Sequence, residues 1–309
     1  MTPHGIMFHH FHDGQKHIKG QGSISAEQLD GMIKFIKKDN IILSADEWMN
    51  KAQNKNLKEH EICLTFDDNL LCQYEIAYPV LKKHNIKAFW FIYTSPFEGV
   101  LEKIEIYRFF RFKYFQTIED FYNSFYKIIE QSEYGEEVSQ KLTSFNPPTY
   151  LKDFPFYTDE DRKFRYVRDK ILQTNRYYSL MDLMLHHFKV DLNTLKDKLW
   201  MTEENIRELY AEGHKIGLHT HTHPTSLASL EKVQQKCEYE TNLDILSKIL
   251  GQTPECMSHP CNSYNEHTID ILKDLNIKLG FRANMVDHLY TNFEFPREDH
   301  ANILKKMRM

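Results

Sequence analysis

Short apolar segments alternate along most of this chain with segments whose apolar residues recur every three or four positions. The clearest short segments are residues 62–66, 87–93 and 215–218, which have the length of β-strands. Parallel strands need crossover connections, most often helices, so a repeated strand–helix alternation predicts a parallel sheet. The fold class is therefore α/β.

The same alternation continues toward both ends of the chain. Ser25 and Gln28 form a predicted capping box, and the helix that follows has apolar residues at helical spacing. The other predicted helices lie near residues 73–84, 203–212, 228–250 and 266–275, and the other predicted strands lie at 5–9, 255–258, 277–283 and near 291–296.

Residues 95–201 interrupt this alternation. They contain no obvious strand–helix unit, and their apolar residues follow helical spacing. We therefore expect a largely helical insertion at 95–201 within a single domain of residues 1–309. Its segment 107–115 mixes three cations with six aromatic residues, which predicts an amphipathic helix with buried rings. In an alternative interpretation, Arg108 and Arg111 belong to a lid that grips an anionic carrier of the substrate.

Residues that can bind a metal follow two of the predicted strands. Asp67 and Asp68 end the strand at 62–66, and His219 and His223 follow the strand at 215–218. The carboxyl ends of strands are where α/β proteins build their sites, so we expect these four residues to lie together. Asp68, His219 and His223 as ligands would leave one coordination position open, which is typical of a catalytic metal. Asp67 is then available as a general base.

Less specific interpretations of both motifs remain open at this point. An Asp-Asp pair often only starts a loop or caps a helix, and histidine clusters arise by chance in a chain with 17 histidines. If residues 219–223 continue as a strand, His219, His221 and His223 share one face and could form a three-histidine site. Pro224 favours a turn instead, because proline disfavours continued strand pairing.

These motifs resemble those of the polysaccharide deacetylases of carbohydrate esterase family 4, the NodB-homology domain. The first family motif, Thr-Phe-Asp-Asp-Gly, is matched by residues 65–68, with Asn69 at the glycine position. The second, His-Ser/Thr-x-x-His, is matched by residues 219–223. The third, Arg-x-Pro-Tyr-Gly, is reduced to its proline in residues 258–262. The fourth has no counterpart, and the fifth is echoed by residues 295–300.

The resemblance implies a distorted, incomplete (β/α) barrel and a metal-dependent carbohydrate N-deacetylase. The implied cofactor is Zn²⁺, with Co²⁺, Ni²⁺ or Fe²⁺ as alternatives, and the implied substrate is an acetylated amino sugar from the synthesis of a surface polysaccharide. A nucleotide- or lipid-linked form of that sugar is one alternative. Two other functions are an inactive deacetylase-like domain that binds a sugar or a partner, and a metal hydrolase of another acyl group, O-acetyl or formyl.

The resemblance also implies roles for residues near the third and fifth motifs. Pro260, Cys261 and Arg297 are the predicted oxyanion- and substrate-binding residues, with the Cys261 backbone N–H as the oxyanion donor. Arg297 or Arg282 is expected to replace the arginine that the third motif lacks. The predicted general acid is His300, since it stands nearest to the family's histidine, with alternatives elsewhere in the chain at His9, His221 and His259.

Composition limits the class and location of the protein. The net charge of −5 does not favour nucleic acid or an anionic membrane as a partner. The first residues lack the basic and apolar regions of a signal peptide, and no stretch has the roughly 18 apolar residues of a membrane span. Five cysteines without framework spacing suit a reducing compartment. These features predict a cytoplasmic protein.

Overall fold

A parallel sheet forms the centre of the first of two compact units. The computed structural model describes residues 2–151, 158–286 and 291–308. The first unit consists of Met1–Glu102 with Thr194–Met309, and the second of Lys103–Asn193. The strands are β1 (His4–Phe8), β2 (Ile41–Ile42), β3 (Glu61–Asp67), β4 (Phe89–Ile92), β5 (Lys215–Leu218), β6 (Cys256–Ser258), β7 (Leu279–Phe281) and β8 (Arg297–Asp299).

The sheet curls until its two edges almost meet. The strand order is β7-β6-β5-β4-β3-β1-β8, with β2 beside β3, and all pairs are parallel. The residues just before β8 bond to the far edge: Arg282 N–H donates to the Phe295 carbonyl at 3.0 Å, and Gly280 N–H donates to that of Asn292 at 2.8 Å. Because β8 itself pairs with β1, the sheet is nearly closed. The predicted distorted, incomplete (β/α) barrel is confirmed.

Helices surround this sheet and form the second unit. The α-helices of the described residues are α1 (Ala26–Ile36), α2 (Ala45–Gln53), α3 (Tyr78–His84), α4 (Lys103–Tyr114), α5 (Ile118–Glu130), α6 (Gly135–Leu142), α7 (Asp159–Tyr166), α8 (Gln173–His187), α9 (Lys196–Leu199), α10 (Glu203–Ala211), α11 (Lys232–Leu250), α12 (Glu266–Asp274) and α13 (His300–Met307). Two π-helical segments, Gln73–Ala77 and Val167–Leu172, precede α3 and α8. No helix among these is both long and apolar enough to cross a membrane.

Local sequence signals explain where several elements begin. The predicted capping box at the start of α1 is present, and the apolar side of the helix is buried. Helix α2, which periodicity did not predict, has the same signal in Ser44 and Glu47. The last strand was predicted near 291–296 but lies at Arg297–Asp299. Its charged sequence does not look like a buried strand, whereas the apolar residues before it do.

Aromatic packing fixes the central strands against one another. Every residue of β3 is buried, and Phe66 stacks on Trp90 of β4 with ring centroids 4.5 Å apart. On the other side, Phe66 lies 5.2 Å from Phe8 of β1. Stacked aromatic pairs add about 0.5–1.5 kcal/mol each beyond the area they bury. The strands that carry the predicted site therefore rest on a rigid core.

Helices make up most of the described residues of the second unit. It contains α4 to α8, and no strand lies in 103–151 or 158–193. In the segment 107–115, the guanidinium of Arg111 lies within 6 Å of the rings of Phe112, Phe121 and Phe164, which favours a packing role. The anion-gripping lid, the bounds 95–201 and the single-domain organisation stay predictions.

Candidate metal centre and catalytic site

The two adjacent aspartates stand where β3 ends in a sharp turn. Asp67 is the last residue of the strand. The backbone then takes positive φ values at Asp68 (+82°) and Asn69 (+56°), which costs of order 1–3 kcal/mol for each non-glycine residue. Asparagine tolerates this conformation better than most residues, so Asn69 can occupy the glycine position of the motif. The turn separates the two carboxylates and lets them serve different purposes.

Residues 219–223 turn away from β5 instead of continuing it. Thr220 has φ +66° and His223 has φ +57°, and both rings of the His219–His223 pair come together with centroids 5.0 Å apart. His221 points elsewhere: its Nδ1 lies 3.0 Å from Thr94 Oγ1 and its Nε2 3.4 Å from Glu98. The three-histidine alternative required a continued strand, and the structure does not have one.

Asp68, His219 and His223 are arranged to surround a cation. Oδ1 of Asp68 lies 3.3 Å from Nε2 of each histidine, and the three ligand atoms lie within 4.8 Å of one another. This Oδ1 is buried and has no hydrogen-bond donor among the described residues. An orphaned carboxylate oxygen facing two imidazole nitrogens fits a divalent metal of the zinc type.

A further contact fixes the orientation of one histidine. Nδ1 of His219 lies 2.9 Å from the carbonyl oxygen of Ser258, at the end of β6. A carbonyl oxygen only accepts hydrogen bonds, so Nδ1 carries a proton, and Nε2 is the ring nitrogen that faces Asp68. Metal-binding histidines are commonly held in this way.

The charges of the three groups suit metal binding. Burial lowers the pKa of His223 to about 4, so this ring is neutral at neutral pH. Burial opposes ionisation of Asp68, but the neighbouring histidines outweigh it and hold the Asp68 pKa below its usual range. Burial also opposes charging of His219, yet Asp67 and Asp68 raise its pKa. The same two carboxylates that raise the pKa of His219 would also attract a cation to the site.

Asp67 lies beside the three ligands but bonds to other groups. Its carboxylate is buried; Oδ1 accepts a hydrogen bond from Arg297 Nη1 at 2.7 Å, and Oδ2 accepts one from Ser258 Oγ at 3.3 Å. Burial raises the pKa of Asp67, but the charge of Arg297, with that of His219, outweighs it and lowers the pKa overall. Asp67 is thus an ionised carboxylate with one oxygen near His219, as a general base should be.

Arg297 reaches Asp67 from the edge strand β8, across the intervening strand β1. It is the first residue of β8 and is fully buried, and its Nε donates to the carbonyl of Arg282 at 2.9 Å. Arg282, the other predicted substitute, donates to the carbonyl of Val286. The structure therefore places Arg297 against Asp67. Contact between Arg297 and the substrate stays a prediction.

The histidines predicted as general acids lie in different surroundings. Nε2 of His9 lies 4.0 Å from Asp67 and 3.9 Å from Asp68, and the ring is 29% exposed. Nε2 of His300 contacts the carbonyl of Gly22 at 2.9 Å, and its ring stacks on a phenylalanine. His259 is buried against a carbonyl, and burial lowers its pKa to about 3. Of these rings, His9 faces both carboxylates; a role for His300 stays a prediction.

The third motif forms a tight turn after β6. Pro260–Asn262 is a 3₁₀ turn in which Cys261 has φ +49°. Although Cys261 is exposed as a residue, burial of its sulfur, together with the charge of Asp68, raises the pKa of the thiol. The thiol is therefore neutral at neutral pH and is a weak nucleophile. Pro260 is buried, and the use of the Cys261 N–H as an oxyanion donor stays a prediction.

With this geometry in place, comparison with known proteins identifies the family. A family model described as "Polysaccharide deacetylase" matches residues 54–105 and 181–280, which include both aspartates and both histidines of the site. Over these residues the chain matches the polysaccharide deacetylase family. The matched family is the NodB-homology group of carbohydrate esterase family 4, whose members are hydrolases.

Individual polysaccharide deacetylases resemble the chain in part or in fold. A Staphylococcus aureus protein named poly-beta-1,6-N-acetyl-D-glucosamine N-deacetylase is 34% identical over 89 residues, which span 28% of this chain and 30% of that protein. The Streptococcus pyogenes deacetylase PplD in complex with acetate superposes with a TM-score of 0.56 at 18% identity, covering 98% of this chain and 96% of that one. IcaB from Ammonifex degensii superposes with a TM-score of 0.52 at 15% identity, covering 95% of this chain and 86% of that one. At such identities the two structures show a likeness of fold.

Proposed function

We propose that this protein is a metal-dependent N-deacetylase that removes acetate from an acetylated amino sugar. The observation that carries the proposal is the buried Asp68–His219–His223 cluster beside a separate carboxylate, Asp67, that is held by Arg297. The name of the Staphylococcus aureus relative supports N-acetylglucosamine units as the substrate class. We also propose an intermediate of surface polysaccharide synthesis as the natural substrate and a cytoplasmic location, which the five free cysteines support.

Asp68, His219 and His223 would hold the metal. Two imidazoles and one carboxylate favour Zn²⁺, although Co²⁺, Ni²⁺ and Fe²⁺ accept the same donors. When bound, such a cation would supply Lewis acidity that polarises the acetamide carbonyl and acidifies a water molecule. Ligands from the protein at three positions leave room for the substrate.

The remaining residues handle protons and charge. Asp67 accepts the proton of the attacking water, and Arg297 keeps its carboxylate ionised for that purpose. His9, which faces both aspartates, donates a proton to the departing amine nitrogen. The Cys261 backbone N–H would donate a hydrogen bond to the developing oxyanion. Each step uses a group that belongs to the Asp68–His219–His223 ligand set or lies near it.

We expect His9→Gln to lower kcat by about 100-fold, because a general acid contributes roughly 10²–10⁴-fold and His9 is partly exposed to solvent. His300→Gln is the matched comparison and should change kcat little. Steady-state kinetics of both variants, with their metal content measured alongside, check this prediction. A large loss in His300→Gln with normal rates in His9→Gln would return the acid role to His300.

Release of acetate tests the proposed function itself. Purified protein supplied with Zn²⁺ would be incubated with β-1,6-linked N-acetylglucosamine oligomers, and acetate and free amine would be measured together. Equal amounts of both products are expected. Formylated and O-acetylated sugars would be tested alongside. Release of formate from the first or of acetate from the second, with none from the N-acetylated oligomers, would favour a hydrolase of another acyl group. Metal binding without any release would favour the inactive binding domain.

A further inference from the structure

The loop that carries two of the three metal ligands is held in an unfavourable backbone conformation. Thr220 and His223 both have positive φ values, and neither is a glycine. Two such residues cost of order 1–3 kcal/mol each. A loop of this kind keeps its shape only where surrounding groups hold it in place.

A glutamate on α11 holds the middle of this loop. Oε2 of Glu238 accepts hydrogen bonds from two successive backbone groups, His221 N–H at 3.0 Å and Thr222 N–H at 2.8 Å. Its other oxygen accepts from the Thr222 hydroxyl at 2.6 Å. Hydrogen bonds to a charged acceptor are roughly twice as strong as neutral ones. One carboxylate thus satisfies three donors of the loop.

An asparagine one helical turn further on holds the beginning of the loop. Oδ1 of Asn242 accepts from the backbone N–H of His219 at 3.0 Å. Its amide donates to the Ile92 carbonyl at 2.9 Å and to Thr94 Oγ1 at 3.1 Å. Asn242 is fully buried, so it ties the first ligand to the end of β4 at a site shielded from water.

The two side chains act from one face of the same helix. They are four residues apart on α11, which places them one above the other. The loop is also held from the β4 side, where Thr94 and Ser95 donate their N–H groups to the His221 carbonyl at 3.1 and 2.9 Å. The loop therefore lies between the helix and the strand end, and three of its first four residues, His219, His221 and Thr222, are bonded to one of them or to both.

We propose that Glu238 and Asn242 are positioning residues that set the affinity of the site for a divalent cation. Neither is one of the ligands; both fix the backbone from which His219 and His223 reach Asp68. The proposal rests on the metal dependence proposed above. Groups that orient metal ligands are typically worth about 10–100-fold in metal affinity, so we expect an effect of this size.

Glu238→Ala is the direct test, and Glu240→Ala is its control. Glu240 lies on the same helix, is exposed and pairs with Lys236. Zn²⁺ and Co²⁺ dissociation constants would be measured by calorimetry, together with unfolding of the metal-free proteins in urea. We expect Glu238→Ala to weaken binding about 10–100-fold, with kcat recovered at excess metal and the control unchanged. Equal affinity in Glu238→Ala and wild type would overturn the proposal.

Two further measurements separate this proposal from the proposed function. Amide hydrogen exchange at His221 and Thr222 in the metal-free protein should be faster in Glu238→Ala than in Glu240→Ala. Unchanged exchange in Glu238→Ala would refute the proposal that Glu238 holds the loop, whether or not the wild type binds metal. Absence of metal from the wild type would instead count against the proposed deacetylase function. If Glu238→Ala does not fold, Thr222→Val removes one of the three hydrogen bonds and should show the same changes at smaller size.

Discussion

Asp67→Asn should bind metal like the wild type and yet lose turnover by about 10⁴-fold, near the upper end of the usual contribution of a general base. Asparagine has nearly the same shape as aspartate but cannot accept a proton at neutral pH. Asp67 is outside the Asp68–His219–His223 cluster, so the ligand set stays complete. The measurement is kcat for acetate release, with metal content determined on the same preparation.

The comparison variant for this prediction is Asp68→Asn, which changes the neighbouring carboxylate. It should lose metal and activity together, because Asp68 supplies the oxygen that faces both histidines. If Asp67→Asn keeps the wild-type rate, Asp67 is not the base. If both variants lose metal equally, the two carboxylates do not have separate roles.

Arg297→Met should destabilise the fold by about 3–5 kcal/mol, the usual cost of leaving one partner of a buried ion pair alone. Arg297 and Asp67 are both buried and lie 2.7 Å apart, and methionine fills part of the volume without the charge. Urea unfolding measures the free-energy change. Arg297→Lys keeps a cation at the site and should recover part of the lost stability, whereas a purely steric effect would leave both variants alike.

Arg297→Met should also shift the acid limb of kcat to higher pH and change how stability depends on pH. In the wild type the pKa of Asp67 lies below its ordinary value, because Arg297 and His219 outweigh burial. Asp67 therefore adds stability above its unfolded pKa, and this stability is lost as the pH falls through the folded pKa. Without Arg297 the pKa rises, so the acid limb of kcat moves to higher pH. The stability difference from wild type should be larger at neutral pH than in acid, where Asp67 is protonated in the variant.

Sequence patterns predicted the parts of the site that are close together in the chain. Asp67 and Asp68 are adjacent, and His219 and His223 are separated by a single turn, so local spacing was enough to group each pair. The contact between Arg297 and Asp67 spans 230 residues. It depends on β8 lying beside β1 and β1 beside β3, an order that apolar periodicity does not encode.

The same limit explains other differences between expectation and structure. The prediction placed strand β8 too early because its three residues are all charged. The buried Arg297 donates hydrogen bonds to Asp67, Thr65 and the Arg282 carbonyl. The only sequence feature that links Glu238 and Asn242 is their spacing of four residues on a long helix. The loop that they hold follows a different element, strand β5. Such contacts follow from the folded sheet and not from either segment alone.

The most direct test of the account is the metal content of protein purified without chelator, measured beside His219→Ala. If Asp68, His219 and His223 bind a catalytic metal, we expect about one Zn²⁺ or similar ion per wild-type chain and almost none in the variant, with acetate release lost in parallel. Equal metal content in the two proteins, or no metal in the wild type even after Zn²⁺ is added, would contradict it.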